Sequence, residues 1–458
     1  MSRTRTSQSK LAALFVSAAL VTAACSEPAD EADTPGTIPE VDQPDATADT
    51  QPPDEPDSDA PEATSPPDEP TGTDAPPDEQ PTVEDDGSVV YGFGGEQWFL
   101  GEVPVAAAAA DPDAEPIKVG LINQEDTPLG SFPEIRGAIE AAAAWVNAEL
   151  GGVDGRPVEV VTCITSFSVE QSQACAQDMA QEGVVALVGG IDVTSNGAIP
   201  VLQQNGIPQI GGIPANLAEQ RSDSHFFFSG GSAGGKAAMI AHADLNGAES
   251  VMIAYGEFES FEVTSRDFAA PVAESLGMRV ELQPFPIVGA DMLQVLTAAL
   301  EADVDALIVA AADSSCVPVM EGVVQLEIDA QLYLVGACAA ETILEAAGPA
   351  AAGVIYSAEG PPDPDDTEGA IYDAAILQYA DGPAGGAGTV GFRSFMNLYA
   401  LLLELGGDNI DSAAITELVT SAVERPSFWG HPYTCDGERV PGLPALCAPE
   451  QALFLSLI

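Results

Sequence analysis

The chain has 458 residues and a formal net charge of −59, from 13 Lys and Arg against 72 Asp and Glu. This length fits two or three folded units. So strong a negative field repels nucleic acid and anionic lipid headgroups, which excludes both as partners. Residues 25–116 hold 26 acids and no base, so 72 − 26 = 46 acids and 13 − 3 = 10 bases follow residue 116, a net charge of −36.

The first 25 residues have the pattern of an export signal. Arg3, Arg5 and Lys10 precede a short apolar run, 11–22, that is too short for a comfortable membrane span. Val-Thr-Ala-Ala-Cys at 21–25 resembles the lipobox of bacterial lipoproteins, although Thr stands where Leu is usual. The resemblance implies cleavage before Cys25 and a lipid on that residue. Ordinary signal cleavage beside an incidental Cys is the alternative.

Residues 26–86 consist almost entirely of Asp, Glu, Pro, Thr, Ala and Ser, with three Pro-Pro-Asp-Glu pieces. Such a segment cannot bury enough apolar surface to offset chain entropy, which predicts a disordered tether. Its r.m.s. reach is on the order of 50 Å. Residues 87–116 contain the apolar groups Val-Val-Tyr-Gly-Phe and Trp-Phe-Leu, and form an arm or a docking segment.

From residue 117 the chain alternates short β-branched runs with longer amphipathic runs, which is typical of βαβ units. The predicted strands are Lys118–Asn123, Val158–Cys163, Val184–Gly189, Pro208–Gly212, Val251–Tyr255, Val280–Phe285, Ala306–Ala311, Leu332–Val335 and Val354–Ser357. The main predicted helices are Glu134–Glu149, Glu170–Gln181, Ser195–Gln204, Thr264–Leu276, Met292–Glu301, Pro318–Leu326, Ala340–Ala347, Gly369–Tyr379, Phe392–Leu405 and Ser412–Val423.

Two successive series predict an α/β protein with two Rossmann-like lobes, parallel sheets and several crossovers that form a hinge. We expect the first lobe to comprise 117–241 and 355–430, and the second 242–354 and 431–458. Ligands of open parallel sheets bind beyond the carboxyl ends of the strands, so a cleft between the lobes is expected.

Several segments resemble the type I periplasmic binding proteins of branched-chain amino-acid ABC transporters. The opening strand Ile-Lys-Val-Gly-Leu-Ile-Asn at 117–123 is similar to that of the family, as is the turn Asn-Ala-Glu-Leu-Gly-Gly-Val-Asp-Gly-Arg-Pro at 147–157. Val-Val-Ala-Leu-Val-Gly-Gly at 184–190 and Gly-Ile-Pro-Gln-Ile-Gly-Gly at 206–212 resemble its third and fourth strands. The resemblance covers about three-quarters of the chain.

The resemblance implies ligand contacts from the loops that follow these strands. In the first lobe they are Asp192, Thr194, Ser195, Ile213 and Ala215. Ser195 would bind a carboxylate, whereas Ala215 stands where a second hydroxyl is usual.

In the second lobe the implied contacts are Tyr255, Phe258, Phe261, Asp313, Ser314 and Ala339. The acid that pairs with a ligand ammonium is expected near Cys338 and is absent there, which favours a neutral or apolar solute such as an amide or an aromatic acid. Thr194, Ser195 and Ser314 are also typical helix N-caps, and the aromatic residues also fit a core.

Without Cys25, six Cys remain, and an even number in an exported domain indicates disulfides. Proximity favours Cys163–Cys175, Cys316–Cys338 and Cys435–Cys447 among the 15 possible pairings. The scattered His residues and the lack of Cys-x-x-Cys indicate that there is no metal site.

One motif resembles the phosphate-binding loop of nucleotide-binding proteins. Residues 230–236 fit the phosphate-loop skeleton G-x-x-x-x-G-K, but Ala237 replaces the Ser or Thr that binds Mg²⁺. No nucleophile–base set is recognisable, so an exported enzyme is a remote alternative.

The sequence therefore predicts a receptor of an ABC importer without a cofactor, anchored outside the cell membrane by Cys25. Its expected partners are a small molecule and a membrane permease, and the protein is expected to be a monomer. The same fold acting as a ligand sensor or a partner-presenting lipoprotein is the alternative.

Overall fold

The computed structural model divides the chain into two units, Met1–Ala75 and Pro76–Ile458. It describes residues 108–127, 130–358, 367–448 and 452–456, all in the second unit. It also describes two short antiparallel strands, β1 (Thr82–Val83) and β2 (Val89–Val90). The predicted signal peptide, Cys25 and most of the tether and arm lie outside these residues. The last residues of the arm lie against the first lobe, where the amide of Ala110 donates to the Asn147 carbonyl over 2.8 Å.

The first lobe contains a five-stranded parallel sheet. Its strands are β3 (Ile117–Gln124), β4 (Val158–Thr165), β5 (Leu187–Val188), β6 (Gln209–Ile210) and β7 (His225–Phe226), in the order β4-β3-β5-β6-β7. The connecting helices are α1 (Pro133–Glu149), α2 (Val169–Glu182), α3 (Ile199–Asn205) and α4 (Leu217–Gln220). Three later helices complete this lobe: α11 (Thr367–Tyr379), α12 (Gly388–Leu405) and α13 (Ser412–Thr420).

The core of the first lobe forms where α1 packs against α12. The buried residues of α1 recur at helical spacing and include Trp145, whose ring lies 6.1 Å from that of Phe392 on α12. Val119 and Leu121 of β3 are fully buried because helices cover both faces of a parallel sheet.

The second lobe contains a six-stranded sheet in the order β13-β12-β11-β10-β8-β9, parallel except at β13. Its strands are β8 (Ser250–Gly256), β9 (Arg279–Phe285), β10 (Ala306–Ala310), β11 (Gln331–Leu334), β12 (Ile355–Ala358) and β13 (Ala452–Leu455). Its helices are α5 (Gly231–Leu245), α6 (Glu259–Val263), α7 (Ala270–Ser275), α8 (Met292–Ala302), α9 (Cys316–Gln325) and α10 (Glu341–Ala347). A π-helical segment, Thr264–Ala269, joins α6 to α7.

Two predicted helices differ from the observed ones. The helix predicted from Ser195 begins at Ile199, because residues 193–198 form turns and Pro200 stands in the first helical turn. The helix predicted over Thr264–Leu276 begins earlier, at Glu259, and includes the π-helical segment ahead of Pro271. Proline lacks an N–H donor, so the helical ladder is interrupted there.

The lobe boundaries also differ from those predicted. Helix α5 was expected in the first lobe, but its Met239 and Ile240 pack in the second core. Strand β12 was likewise expected in the first lobe, yet it pairs with β11. Residues 431–448 were expected in the second lobe, but Tyr433 and Cys447 pack in the first core. An apolar run shows that a segment is buried and does not show which of two cores buries it.

All three predicted disulfides are present: Cys163–Cys175, Cys316–Cys338 and Cys435–Cys447. The first joins β4 to α2, and the second joins the segments that follow β10 and β11. Each typically adds about 2–4 kcal/mol by restricting the unfolded chain. No helix among the described residues is both long and apolar enough to cross a membrane.

Gly189 provides a test of how closely β5 and β6 pack at their carboxyl ends. A Cβ atom there would lie 1.9 Å from the backbone nitrogen of Gly212, which cannot yield as a flexible side chain would. We expect Gly189→Ala to lower the free energy of unfolding by at least about 3 kcal/mol, the upper end of typical overpacking costs. Urea denaturation would measure the loss. Gly382→Ala is the matched control, since its Cβ would meet nothing within 4 Å; equal stability of the two variants would contradict the prediction.

Candidate functional site

The carboxyl ends of the two sheets face one another. Phe167 follows β4 in the first lobe and Phe258 follows β8 in the second, and their ring centroids lie 6.3 Å apart. A second approach brings Pro214 of the loop after β6 close to Gly231 at the start of α5, because a Cβ on Gly231 would lie 2.5 Å from the Pro214 ring. The cleft between these ends is the candidate ligand site.

Phe167 was not predicted as a site residue. Its φ of 62° lies in the left-handed region, which is unusual for a residue with an aromatic side chain. Strained backbone of this kind is concentrated at functional sites, because surrounding structure must hold it in place. The sequence signal was its position directly after β4.

Asp192 is a structural hub of the first-lobe loops. Its carboxylate accepts hydrogen bonds from the Ser172 hydroxyl over 2.5 Å, the Thr194 hydroxyl over 2.8 Å and the Thr165 hydroxyl over 3.3 Å. The Thr194 amide adds a fourth bond of 3.0 Å. With four donors already bound, Asp192 holds the loop in place rather than presenting its carboxylate to a ligand.

Ser195 connects this loop to the next one. The Asn216 side chain donates to its hydroxyl oxygen, and the Asn216 carbonyl oxygen accepts from the amide of Glu219 over 3.0 Å. Asn216 and Glu219 together form the capping box of α4. Neither Thr194 nor Ser195 caps α3 with its side chain. Helix α9 also lacks a side-chain cap, so Ser314 does not fill that role.

Glu219 is a buried acid that sequence reasoning did not select. It is 2% exposed, and its carboxyl accepts from the amide of Ala215 over 2.7 Å. Burial raises the pKa of Glu219 to about 8, and the charge of Asp192 adds to this rise. Hydrogen bonds from Ser195 and from backbone amides oppose it. At neutral pH the carboxyl is therefore protonated.

A small cavity, with room for about one water molecule, lies beneath these loops. Asp192, Ser195, Glu219 and His225 are among the residues that line it. His225 is buried, and burial lowers its pKa to about 4, so it is neutral at physiological pH. Its Nε2 has no hydrogen-bond partner among the described residues. This cavity is too small for a solute, and the residues that line it support the loops.

The loop with the predicted contacts Ile213 and Ala215 offers the ligand backbone and apolar surface. Both side chains are half-buried and pack against the first core. No hydroxyl is available at either position, as the sequence indicates.

The second-lobe aromatic residues are partly brought together. Phe258 and Phe261 are half-buried, with ring centroids 5.9 Å apart in an edge-to-face arrangement. Tyr255, in contrast, is 4% exposed and belongs to the end of β8. Phe258 and Phe261 therefore form the accessible aromatic wall, together with Phe167 of the first lobe.

The remaining predicted contacts follow β10 and β11. Asp313 begins a short 3-10 turn that also contains Ser314, which is exposed. Ala339 lies in a second 3-10 turn and packs partly against the second core. The Cys316–Cys338 disulfide ties the segments that carry these residues to one another. Nothing in their placement distinguishes them as ligand contacts.

The sequence also did not indicate the polar residues at the end of β3 as candidate site residues. Glu125 is 6% exposed, and Arg136 of α1 binds both its oxygens, at 2.8 and 3.1 Å. Asn123 donates to the same carboxylate over 3.2 Å. The side-chain carbonyl of buried Gln124 has no partner among the described residues. Among those residues no cluster of His, Cys, Asp and Glu is arranged to hold a metal ion.

Lys236, the lysine of the phosphate-loop skeleton, lies on the second turn of α5 and is 2% exposed. Its ammonium donates to the Thr264 hydroxyl over 2.6 Å and to the Ser232 hydroxyl over 2.8 Å. In a phosphate loop the lysine begins the helix, whereas here α5 begins at Gly231. The segment is therefore not a nucleotide site.

A family model described as periplasmic binding protein matches residues 116–436. The match spans both lobes and more than two-thirds of the chain. The chain belongs to the periplasmic binding protein family. It has the type I fold predicted from the sequence, and membership implies a location outside the cytoplasm.

Solved structures with this periplasmic binding fold have low sequence identity to the chain. A putative branched-chain amino acid ABC transporter from Rhodospirillum rubrum has 16% identity, a TM-score of 0.57 and coverage of 75% of this chain and 96% of its own. A leucine binding protein from Thermotoga maritima MSB8 has 18% identity, a TM-score of 0.59 and coverage of 69% and 90%.

A solute binding protein of an ABC transporter from Rhodopseudomonas palustris HaA2, solved with p-hydroxybenzoic acid, has 17% identity, a TM-score of 0.62 and coverage of 75% and 93%. No curated protein matches this periplasmic binding protein in sequence.

Glu219 predicts a pH dependence of stability. Its pKa is about 8 in the folded protein and is ordinarily 4.5, so the folded state holds its proton more tightly than the unfolded state. The stabilisation is complete below pH 4.5 and is lost as pH rises through 8. Relative to Glu219→Gln, we expect the wild type to lose on the order of 2–4 kcal/mol between pH 5 and pH 8.

Urea denaturation at pH 5, 6.5 and 8 would measure this difference. Glu417→Gln is the matched control, since Glu417 is exposed on α13. Parallel pH profiles of wild type and Glu219→Gln would show that Glu219 is not held protonated.

Proposed function

We propose that this protein is the solute-binding receptor of an ABC importer, which captures a small molecule between its lobes and presents it to a membrane permease. The observation that carries the proposal is the contact of Phe167 with Phe258 across facing carboxyl ends of two parallel sheets. The described part of the chain changes lobe after β7, after β12 and before β13, and such crossings suit closure around a ligand by a hinge.

The chemistry of the cleft favours an aromatic or apolar solute. The accessible surface contributed by Phe167, Phe258 and Phe261 is aromatic, while Ile213 and Ala215 add apolar surface and no hydroxyl. The one polar side chain predicted to bind a carboxylate, Ser195, is already bonded to Asn216. The neighbour solved with p-hydroxybenzoic acid supports an aromatic acid as one class to test.

We further propose that the mature chain is a lipoprotein that acts as a monomer. Cys25 would carry the lipid and residues 26–86 would tether the lobes at a distance from the membrane. The abundance of acids and Pro in this segment supports an extended tether. The three disulfides support folding in an oxidising compartment.

A thermal-shift panel of aromatic acids, amino acids, amides and sugars tests the receptor function. We expect at least one solute to stabilise the full chain, by about 2.7 kcal/mol when present at about 100 times its Kd. Phe258→Ala should weaken the binding of that solute at least tenfold, because burial of an aromatic side chain contributes about 1.5–3 kcal/mol. Leu377→Ala, at an 89% exposed position, is the control. If no solute stabilises the protein, the receptor proposal fails.

Replacement of Cys25 tests the anchor. In cells that make the full precursor, we expect Cys25→Ser to move the protein from the membrane pellet to the released fraction, because no lipid can then be attached. Fractionation and immunoblotting would measure the distribution. Cys25 is not one of the three disulfide pairs, so folding should be unaffected. Retention of the variant in the pellet would contradict lipid anchoring.

A further inference from the structure

Lys236 is a buried cation with no ion-pair partner among the described residues. None of the seven ion pairs among the described residues includes it. Burial alone lowers the pKa of Lys236 to about 7, with no neighbouring charge to oppose this shift. In a chain with 72 acidic residues the absence of a paired carboxylate is unusual. An unpaired buried charge is costly unless a partner arrives from outside.

The hydroxyl groups around Lys236 leave donor capacity unused. An ammonium has three N–H donors, and two of them bind Ser232 and Thr264, which leaves the third without a partner among the described residues. The Thr264 hydroxyl in turn donates to the carbonyl of Ser260 over 2.6 Å. The hydroxyls of Ser260 and Ser265 are buried and have no hydrogen-bond partner among the residues that the structure describes.

Helical spacing groups these residues. Positions 260, 261, 264 and 265 share one face of the α6 and π-helical segment. The contacts of Thr264 and Phe261 with Lys236 show that this face lies against α5. An ammonium and several hydroxyls are therefore gathered at one place, which is the donor set that binds a carboxylate.

A continuous aromatic path connects Lys236 to the cleft. The Phe167 and Phe258 rings are 6.3 Å apart, the Phe258 and Phe261 rings are 5.9 Å apart, and the Lys236 ammonium lies 5.6 Å from the centre of the Phe261 ring. Ser232, one turn before Lys236, is half-buried and adjoins Gly231, which approaches the Pro214 loop of the first lobe. The ammonium is thus at the inner end of the aromatic wall.

We propose that Lys236, with the hydroxyl of Ser232, binds the carboxylate of an anionic solute whose apolar body lies on Phe258 and Phe261. This inference rests on the proposed receptor function and narrows its ligand to small aromatic or apolar carboxylates. A bound carboxylate is the counter-ion that none of the described residues supplies. Phe261 holds the uncomplexed ammonium by a cation–π contact.

Binding of a carboxylate at this site is linked to a proton. Above pH 7 the uncomplexed Lys236 is increasingly neutral, and a carboxylate beside it restores the charged form. Carboxylate binding therefore takes up a proton at pH 8, and affinity falls about tenfold per pH unit well above 7. A neutral amide of the same shape can accept a hydrogen bond from the ammonium but carries no opposite charge, so both effects should be much smaller.

The experiment compares benzoate and 4-hydroxybenzoate with benzamide and 4-hydroxybenzamide on the full chain. Isothermal titration at pH 6 and pH 8, in phosphate and in Tris, gives affinities and the number of protons taken up. We expect the wild type to prefer the acids over the amides at least tenfold at pH 6. About half a proton or more should be taken up per acid bound at pH 8.

Lys236→Met should abolish both the preference and the proton uptake while leaving amide binding within about threefold. Lys236→Gln is a second variant in case the first does not fold, and the same loss is expected. Lys118→Met is the control, because that lysine forms a partly exposed ion pair with Glu182 on the first lobe.

The outcomes separate the inference from the receptor function. If Lys236→Met binds the acids as the wild type does, or if proton uptake persists, the ammonium has a structural role only and the inference is wrong. If only neutral solutes stabilise the wild type, the inference is again wrong and the receptor function stands. If neither these probes nor the wider thermal-shift panel produces any binding, both fail together.

Discussion

The close approach of backbone at Gly189 and Gly212 governs the first-lobe half of the cleft. Gly189 directly follows β5 and Gly212 lies in the loop after β6, and neither has room for a side chain. The amide of Gly212 also donates to the Ser394 hydroxyl of α12 over 2.8 Å, which fixes the loop against the late helices. Loops that leave the sheet from such a contact have little freedom, so the surface they offer a ligand is largely preformed.

The buried polar groups beneath these loops act as one support. Asp192 accepts four hydrogen bonds, two from Thr194 in its own loop and one each from Thr165 of β4 and Ser172 of α2, and protonated Glu219 accepts from two amides of the next loop. Asn216 joins the two sets through Ser195. Burial keeps Glu219 neutral, and a neutral acid needs less solvation than a carboxylate. Asp192 and Glu219 can therefore lie close together in this highly acidic protein. These first-lobe acids position the loops, whereas Lys236 in the second lobe is proposed to bind the ligand.

The sequence predicted the fold well because strand and helix periodicity survive wherever a segment packs. All nine predicted strands correspond to observed ones, and the six paired Cys join as proximity indicated. It assigned β12 and α5 to the wrong lobe, because periodicity reports burial and not the identity of the partner. For the site, the sequence placed the ligand contacts in the loops after the strands, and their role in binding stays a prediction. The chemistry within these loops was harder to predict: the Asp192 carboxylate accepts internal hydrogen bonds, and burial raises the pKa of Glu219.

Lys236 also shows that a sequence pattern does not reveal contacts between residues distant in the chain. The motif around it resembled a nucleotide-binding pattern and lacked the Mg²⁺-binding hydroxyl, and nothing in the sequence indicated that the lysine lies beside Phe261 in three dimensions. No spacing rule connects residues 236, 261 and 264, since α5 and α6 meet only through the folding of the second lobe.

Strand β13 has a consequence for how the chain assembles. It pairs with β12, although residues 359–451 lie between them and the described part of that interval builds the first lobe. The edge of β12 therefore stays open during synthesis and export until the whole intervening segment has passed. An unpaired edge strand invites pairing with other chains. While β12 waits for β13, an exposed strand edge is open to pairing with other chains, and a chaperone outside the cytoplasm that covers this edge would protect the protein at that stage.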